Sequence, residues 1–154
     1  MKRQYKQKRE QGFTIIEVLI VLAIAGLILL IVFLAVPALQ RNSRNTQRKA
    51  DVSRILGGMS EFASNNSGGL ATAWSANQLT GGAGTTPASA NLGYYTAVSF
   101  KAGAQAVIGS DTVQVVTGAQ CGAAGVTVVG ATRAIAIQYE IEGAGGLVDT
   151  CQNS

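Results

Sequence analysis

Glu17 is the one charged residue between Gly12 and Arg41. It stands at the head of an apolar run, Val18 to Val36, that holds no charged or strongly polar side chain. A carboxylate there costs on the order of 2–3 kcal/mol near a bilayer centre and less towards the interface. It calls for a cation, and the chain offers none nearby on the apolar side. Cleavage after Gly12 would create one, the α-amino group of Phe13, one helical turn from Glu17. Glycine suits a scissile position because it lets the backbone lie extended in a protease cleft. The chemistry on offer is therefore a processing junction and an ion pair, not a catalytic site. There is no histidine, no P-loop or dinucleotide fingerprint, and no spacing that singles out a nucleophile and its base. Two cysteines fall short of a metal-ligand set, so no cofactor, metal or enzymatic activity is expected.

The apolar run with its flanks amounts to roughly 20 residues, one bilayer's worth of helix. Five of the twelve basic residues and one of the eight acidic ones lie in residues 1–12. The remainder of the chain is neutral, which weakens any general affinity for nucleic acid. An ordinary secretory signal fits less well, because its apolar core runs to about 7–15 residues and ends in a small-x-small site. A plain uncleaved anchor is the simpler alternative.

A short basic leader, then G-F-T-I-I-E, then a long apolar helix resembles the type IV pilin and pseudopilin family, on Gly12, Phe13, Thr14, Glu17 and Gly26. Pro37 stands later in the helix than the proline family members carry. The resemblance implies cleavage by a prepilin peptidase between Gly12 and Phe13 and N-methylation of Phe13. It also implies an assembly role for Glu17, which neutralises the α-amino group of Phe13 on a neighbouring subunit. The expected partners are copies of the chain in a helical filament, the peptidase, the assembly machinery of the cytoplasmic membrane, and lipid before assembly. The resemblance further implies a single-pass membrane protein first and part of a surface filament for adhesion, motility or DNA uptake afterwards. A minor pilin or pseudopilin of a type II secretion or competence system, and a membrane-anchored binding domain that never polymerises, are the alternatives. Export makes Cys121 and Cys151 read as one disulfide rather than two buried thiols, as in the C-terminal staple of many pilins. It would close 29 intervening residues, which the chain-entropy model values at roughly 3–4 kcal/mol.

The elements expected to carry these residues form an α+β chain. Residues 1–12 are the leader, 13–37 the apolar helix, 38–64 its amphipathic continuation and 65–154 a globular head. Val52, Ile55, Leu56, Met59, Phe62 and Ala63 make one apolar helical stripe. Arg41, Arg44, Arg48, Lys49, Asp51, Arg54 and Glu61 lie on the other face. Gly26 and Pro37 are the expected sites of a helix bend. Asn65 to Gly69 should stop the helix with a left-handed cap. Residues 65–91 read as a loop with a short helix around Ala73–Leu79 and Trp74 plugged onto the core. Strands are expected at Tyr94–Phe100, Thr112–Thr117, Gly125–Val129 and Arg133–Glu142, in an antiparallel sheet of about four strands. The helix would cover that sheet, giving the lollipop outline of a pilin. The arginines from Arg41 to Arg54 admit three readings. They form a solvated face with lipid-headgroup contact, they pair with Asp51 or Glu61 of neighbouring subunits, or they track DNA. The last is disfavoured, because a helix lining a filament interior hides them.

Overall fold

The computed structural model describes residues 12–81, 84–106 and 112–154. Residues 1–11 of the expected leader 1–12, and Gly82 and Ala83 of the expected loop, lie outside them. The chain divides into two units, up to Leu39 and from Gln40 onward. One helix, α1 (Ile15–Asn65), contributes to both and passes through Gly26 and Pro37 without a break in helical structure.

Within the first unit α1 is apolar all round and its large side chains are uncovered, from Phe13 at 88% exposed to Leu39 at 66%. No described residue of the unit folds back on them. The stretch is long and apolar enough to cross a membrane.

The second unit contains, among the described residues, nine strands: β1 (Ala73–Ser75), β2 (Gln78–Thr80), β3 (Ala88–Ser89), β4 (Val98–Ala102), β5 (Val113–Thr117), β6 (Ala119–Cys121), β7 (Thr127–Val129), β8 (Ile135–Gly143) and β9 (Gly146–Asn153). The main sheet runs β4-β5-β8-β9, with β1-β2-β3 and β6-β7 as smaller sheets. Val52, Ile55, Met59 and Phe62 of α1 are fully buried against Leu79, Val113, Val115, Ile137 and Tyr139. Each such side chain contributes about 1.5–3 kcal/mol of burial, so this seam is the centre of the fold. The α+β arrangement expected from the sequence is the one observed.

Four local expectations are corrected. The helix placed around Ala73–Leu79 is a hairpin, with Ala76 and Asn77 at φ 48° and 62° in a two-residue turn. That left-handed pair matches the twist of the flanking strands. The strand expected from Tyr94 begins only at Val98, because the backbone N–H groups of Gly93, Tyr94 and Tyr95 donate to the Asp51 carboxylate instead of to a neighbouring strand. The sheet is mixed, since β4 pairs with β5 in parallel. Finally, Arg48 and Asp51, placed by periodicity on the outer face of α1, are buried at 2% and 0% exposed.

Helix termination follows the expected pattern. Ser67 and Gly68 adopt left-handed φ of 53° and 85°, and the Gly68 N–H reaches back to the Ala63 carbonyl. Gly58 is required for packing, because a Cβ there would stand 2.8 Å from the Ser89 carbonyl oxygen. The far face of the main sheet is covered as well. Gln138, 1% exposed, accepts from Gln114 and donates to the carbonyls of Ala106 and Gly125. Val116, Ala119 and Ala136 form a second small core beside the Cys121–Cys151 disulfide.

Replacing Asp51 by Ala should lower the stability of the second unit by about 3–5 kcal/mol, the range for stripping a partner from a buried charged network. Glu61→Ala, at an exposed position of the same helix, should stay within about 0.5 kcal/mol. Chemical denaturation followed by circular dichroism measures both; equal effects would contradict the role given to Asp51.

Candidate functional site

Two constellations carry the polar chemistry of α1. The first is at its start. Gly12, Phe13 and Thr14 precede the helix, and a Cβ at Gly12 would meet no described residue beyond its chain neighbours within 4 Å. The Thr14 N–H donates to Glu17 Oε2 at 2.9 Å and the Thr14 hydroxyl to the same oxygen at 2.7 Å. The Glu17 N–H returns a bond to the Thr14 hydroxyl at 3.4 Å. This is a capping box, in which residues three apart satisfy each other's orphan backbone donors. The T-I-I-E spacing read as a charge waiting for a cation is thus also a helix-start signal. Both bonds to Glu17 land on Oε2, and Oε1 accepts none among the described residues. Phe13, the proposed new terminus, lies just before the helix with its ring exposed.

The second constellation begins at Arg41 and belongs to the second unit. Strand β8 has nine residues and its neighbour β5 has five, and the last pair along that edge among the described residues is Tyr139–Val113. Beyond it, the Asn45 side-chain amide bonds both backbone groups of Glu142, accepting from its N–H at 2.7 Å and donating to its carbonyl at 2.9 Å. Arg48 donates to the Glu140 carbonyl at 3.1 Å and Arg41 to that of Gly143 at 3.4 Å. Helical side chains at i, i+4 and i+7 therefore complete a strand edge.

Charge gathers at the same place. Arg44 clasps the Glu142 carboxylate with two bonds, at 2.6 and 2.5 Å, and Arg48 reaches it at 3.3 Å. Arg48 also donates to the Tyr94 hydroxyl at 2.7 Å and lies over that ring, 4.6 Å from its centre. The Arg44 bond, with Arg44, Arg48 and Arg41 all nearby, holds the Glu142 carboxyl below its ordinary value of 4.5. Arg41, Arg44, Arg48, Tyr94, Glu142 and Leu147 surround an open cavity of about 600 Å³.

These contacts revise the readings of the arginine run. Arg44 and Arg48 pair within the subunit, and Asp51 is occupied by loop N–H groups and Arg54. Asp51 is thus closed to a neighbour's arginine. Glu142, Asn45 and Tyr94 were not singled out from sequence. A signal existed, because Arg41, Asn45 and Arg48 continue the Val52, Ile55, Met59, Phe62 stripe backwards at the same alternating spacing of four and three. Being polar, they read as its opposite. Cys121 and Cys151 are joined, as expected, with Cα atoms 5.6 Å apart. Among the described residues no group of three or more His, Cys, Asp or Glu side chains is placed to hold a metal ion.

Residues 7–33 match the model of the prokaryotic N-terminal methylation motif. The motif spans Gly12, Phe13, Glu17 and most of the apolar run, and it is the leader type of type IV pilins and pseudopilins. No curated protein and no solved structure matches the chain.

A carboxylate whose folded pKa is depressed stabilises the fold above its unfolded pKa, and that contribution disappears as pH falls through the folded value. The stability difference between the wild type and Glu142→Gln should therefore be constant above about pH 5 and shrink from near pH 4.5 downward. Urea denaturation at a series of pH values measures it. A difference that persists unchanged to pH 3 would show that the Arg44–Glu142 charge pair contributes nothing.

Proposed function

We propose that the chain is the structural subunit of a type IV pilus, assembled through the apolar half of α1 into a surface filament. The observation that carries this reading is the pairing of a Thr14–Glu17 capping box with an uncovered apolar helix inside a matched methylation motif. So much exposed apolar surface needs lipid or other apolar helices around it. One segment can serve as anchor and as interface in turn, because extraction from lipid is offset by burial of the same surface among neighbouring subunits. In this reading prepilin peptidase cuts between Gly12 and Phe13, and Phe13 is N-methylated. The α-amino group of Phe13 on one subunit meets the Glu17 carboxylate of the next, on the oxygen the capping box leaves open. Unpaired, either charge buried in the filament core would cost several kcal/mol, so the pairing selects the axial register. Gly26 and Pro37 are where the helix would give if packing demands it. Localisation follows as cytoplasmic membrane first and filament afterwards.

The same motif serves secretion and competence pseudopilins, and abundance in sheared surface fibres separates the two. In the native cell, mass spectrometry should find a chain starting at N-methylated Phe13. Glu17→Ala should leave membrane levels unchanged and lower filament yield at least tenfold. A chain retaining residues 1–12, or normal filaments from Glu17→Ala, would refute the assembly reading.

A further inference from the structure

The groove at the start of the second unit holds more positive charge than its own carboxylate neutralises. Three arginines line it against one glutamate. Arg44 and Arg48 both engage Glu142. Arg41 forms no ion pair among the described residues, and its bond to the Gly143 carbonyl is long at 3.4 Å. The rim beside it is apolar. Leu147 lines the cavity while 46% exposed, and Val148 follows at 51%. Both stand next to the Gly143–Gly146 end of the β8–β9 hairpin, which the Arg41 bond ties to α1.

The position along the chain says which anion is at hand. Arg41 follows Val36, the last residue of the apolar run, by five positions. Five residues reach at most about 18 Å in any conformation. The hydrocarbon core is about 30 Å thick within a bilayer of about 40–45 Å, so an anchored chain brings Arg41 within reach of the headgroup layer. A guanidinium fork suits a phosphate, and a half-exposed leucine beside it suits the acyl boundary.

We propose that this groove binds the phosphate of an anionic lipid headgroup in the membrane that anchors the unassembled subunit. Arg41 takes the phosphate and Leu147 meets the adjoining acyl chain. The inference rests on the membrane-span reading of the apolar half and not on polymerisation. Arg44 and Arg48 stay on Glu142 and supply positive potential without leaving it. Assembly would then require Arg41 to exchange its lipid for another anionic or carbonyl partner, so headgroup release is a step in extraction.

The test uses the full chain in a neutral detergent, incubated with phosphatidylglycerol or phosphatidylcholine, with retained lipid counted by native mass spectrometry. Wild type should retain phosphatidylglycerol over phosphatidylcholine. Arg41→Gln should lower that retention about fivefold, the effect of one basic group near an anionic surface. Lys49→Gln, an exposed cation elsewhere on α1, should change nothing, and Arg41→Lys should restore part of the loss. The five basic residues of 1–12 contribute equally to every variant. Arg41→Gln forfeits the 3.4 Å bond and its share of the positive field on Glu142, and an unchanged circular dichroism melt verifies its fold. Equal losses in Arg41→Gln and Lys49→Gln would reduce the effect to bulk charge and overturn the proposal. Displacement of the lipid by millimolar inorganic phosphate would make this a free-anion site, which also overturns it. Carbonate extraction of the wild-type chain from membranes separates the underlying reading: release would refute the span itself, whereas a retained chain with no lipid preference would refute the groove alone.

Discussion

The length mismatch between β8 and β5 is the constraint on which the second unit turns. Four residues of β8 run past its last described pair with β5, and each backbone group left unsatisfied on a half-buried strand edge would cost about 1–3 kcal/mol. Asn45 answers by pairing with Glu142 as a strand residue would, and Arg48 and Arg41 take the next carbonyls on either side. An apolar stripe alone tolerates a slip of one helical turn, because burial is not directional. These bonds do not tolerate it. They fix both the rotation of α1 and its position along β8, and the apolar seam from Val52 to Phe62 closes in the register they set.

The first unit obeys the opposite rule. Among its described residues the only side-chain hydrogen bonds are those of Thr14 and Glu17. In an apolar medium a helix satisfies its backbone internally except at its ends, so the first turn is where a polar group has work to do. The capping box supplies it, and the positive end of the helix dipole favours the carboxylate there. Beyond Glu17 the surface carries no directional group until Arg41. A helix of that kind can exchange one apolar environment for another without breaking any specific bond, and selectivity must come from its ends.

Much of this was legible in the sequence, and the failures share a cause. Periodicity located the Val52–Phe62 seam, and β8 was visible through Ile135, Ile137, Tyr139 and Ile141, because apolar spacing reports burial directly. Polar burial leaves no such trace. Arg48 and Asp51 looked solvent-facing because charged residues are almost never buried unless paired, and their partners other than Arg54 lie 42 to 94 residues away. The Ala73–Leu79 hairpin was hidden for a different reason. Its turn is Ala76-Asn77, and alanine lacks the left-handed preference that marks such turns in sequence. Gly12, Phe13, Thr14 and Glu17 could be singled out because they are local, although the Thr14–Glu17 capping box was not read from them. The groove was not legible, since it is assembled from α1, the Tyr94 loop and the β8–β9 hairpin.

The far face of the main sheet shows why the staple lies where it does. The hairpin of β6 and β7 packs against β8 and β9, but the buried apolar cluster there is only Val116 of β5, Ala119 of β6 and Ala136 of β8, all small. Burying such side chains gives only about 1–2 kcal/mol each. The layer would not hold by packing alone. Cys121 on β6 and Cys151 on β9 join it to the longest hairpin of the sheet, so the entropy of that loop is removed from the unfolded chain instead of being overcome by contacts in the folded one. With the hairpin held, Gln138 and Gln114 can be buried with their amides satisfied. The polar pair then specifies the placement of a layer whose stability the disulfide supplies.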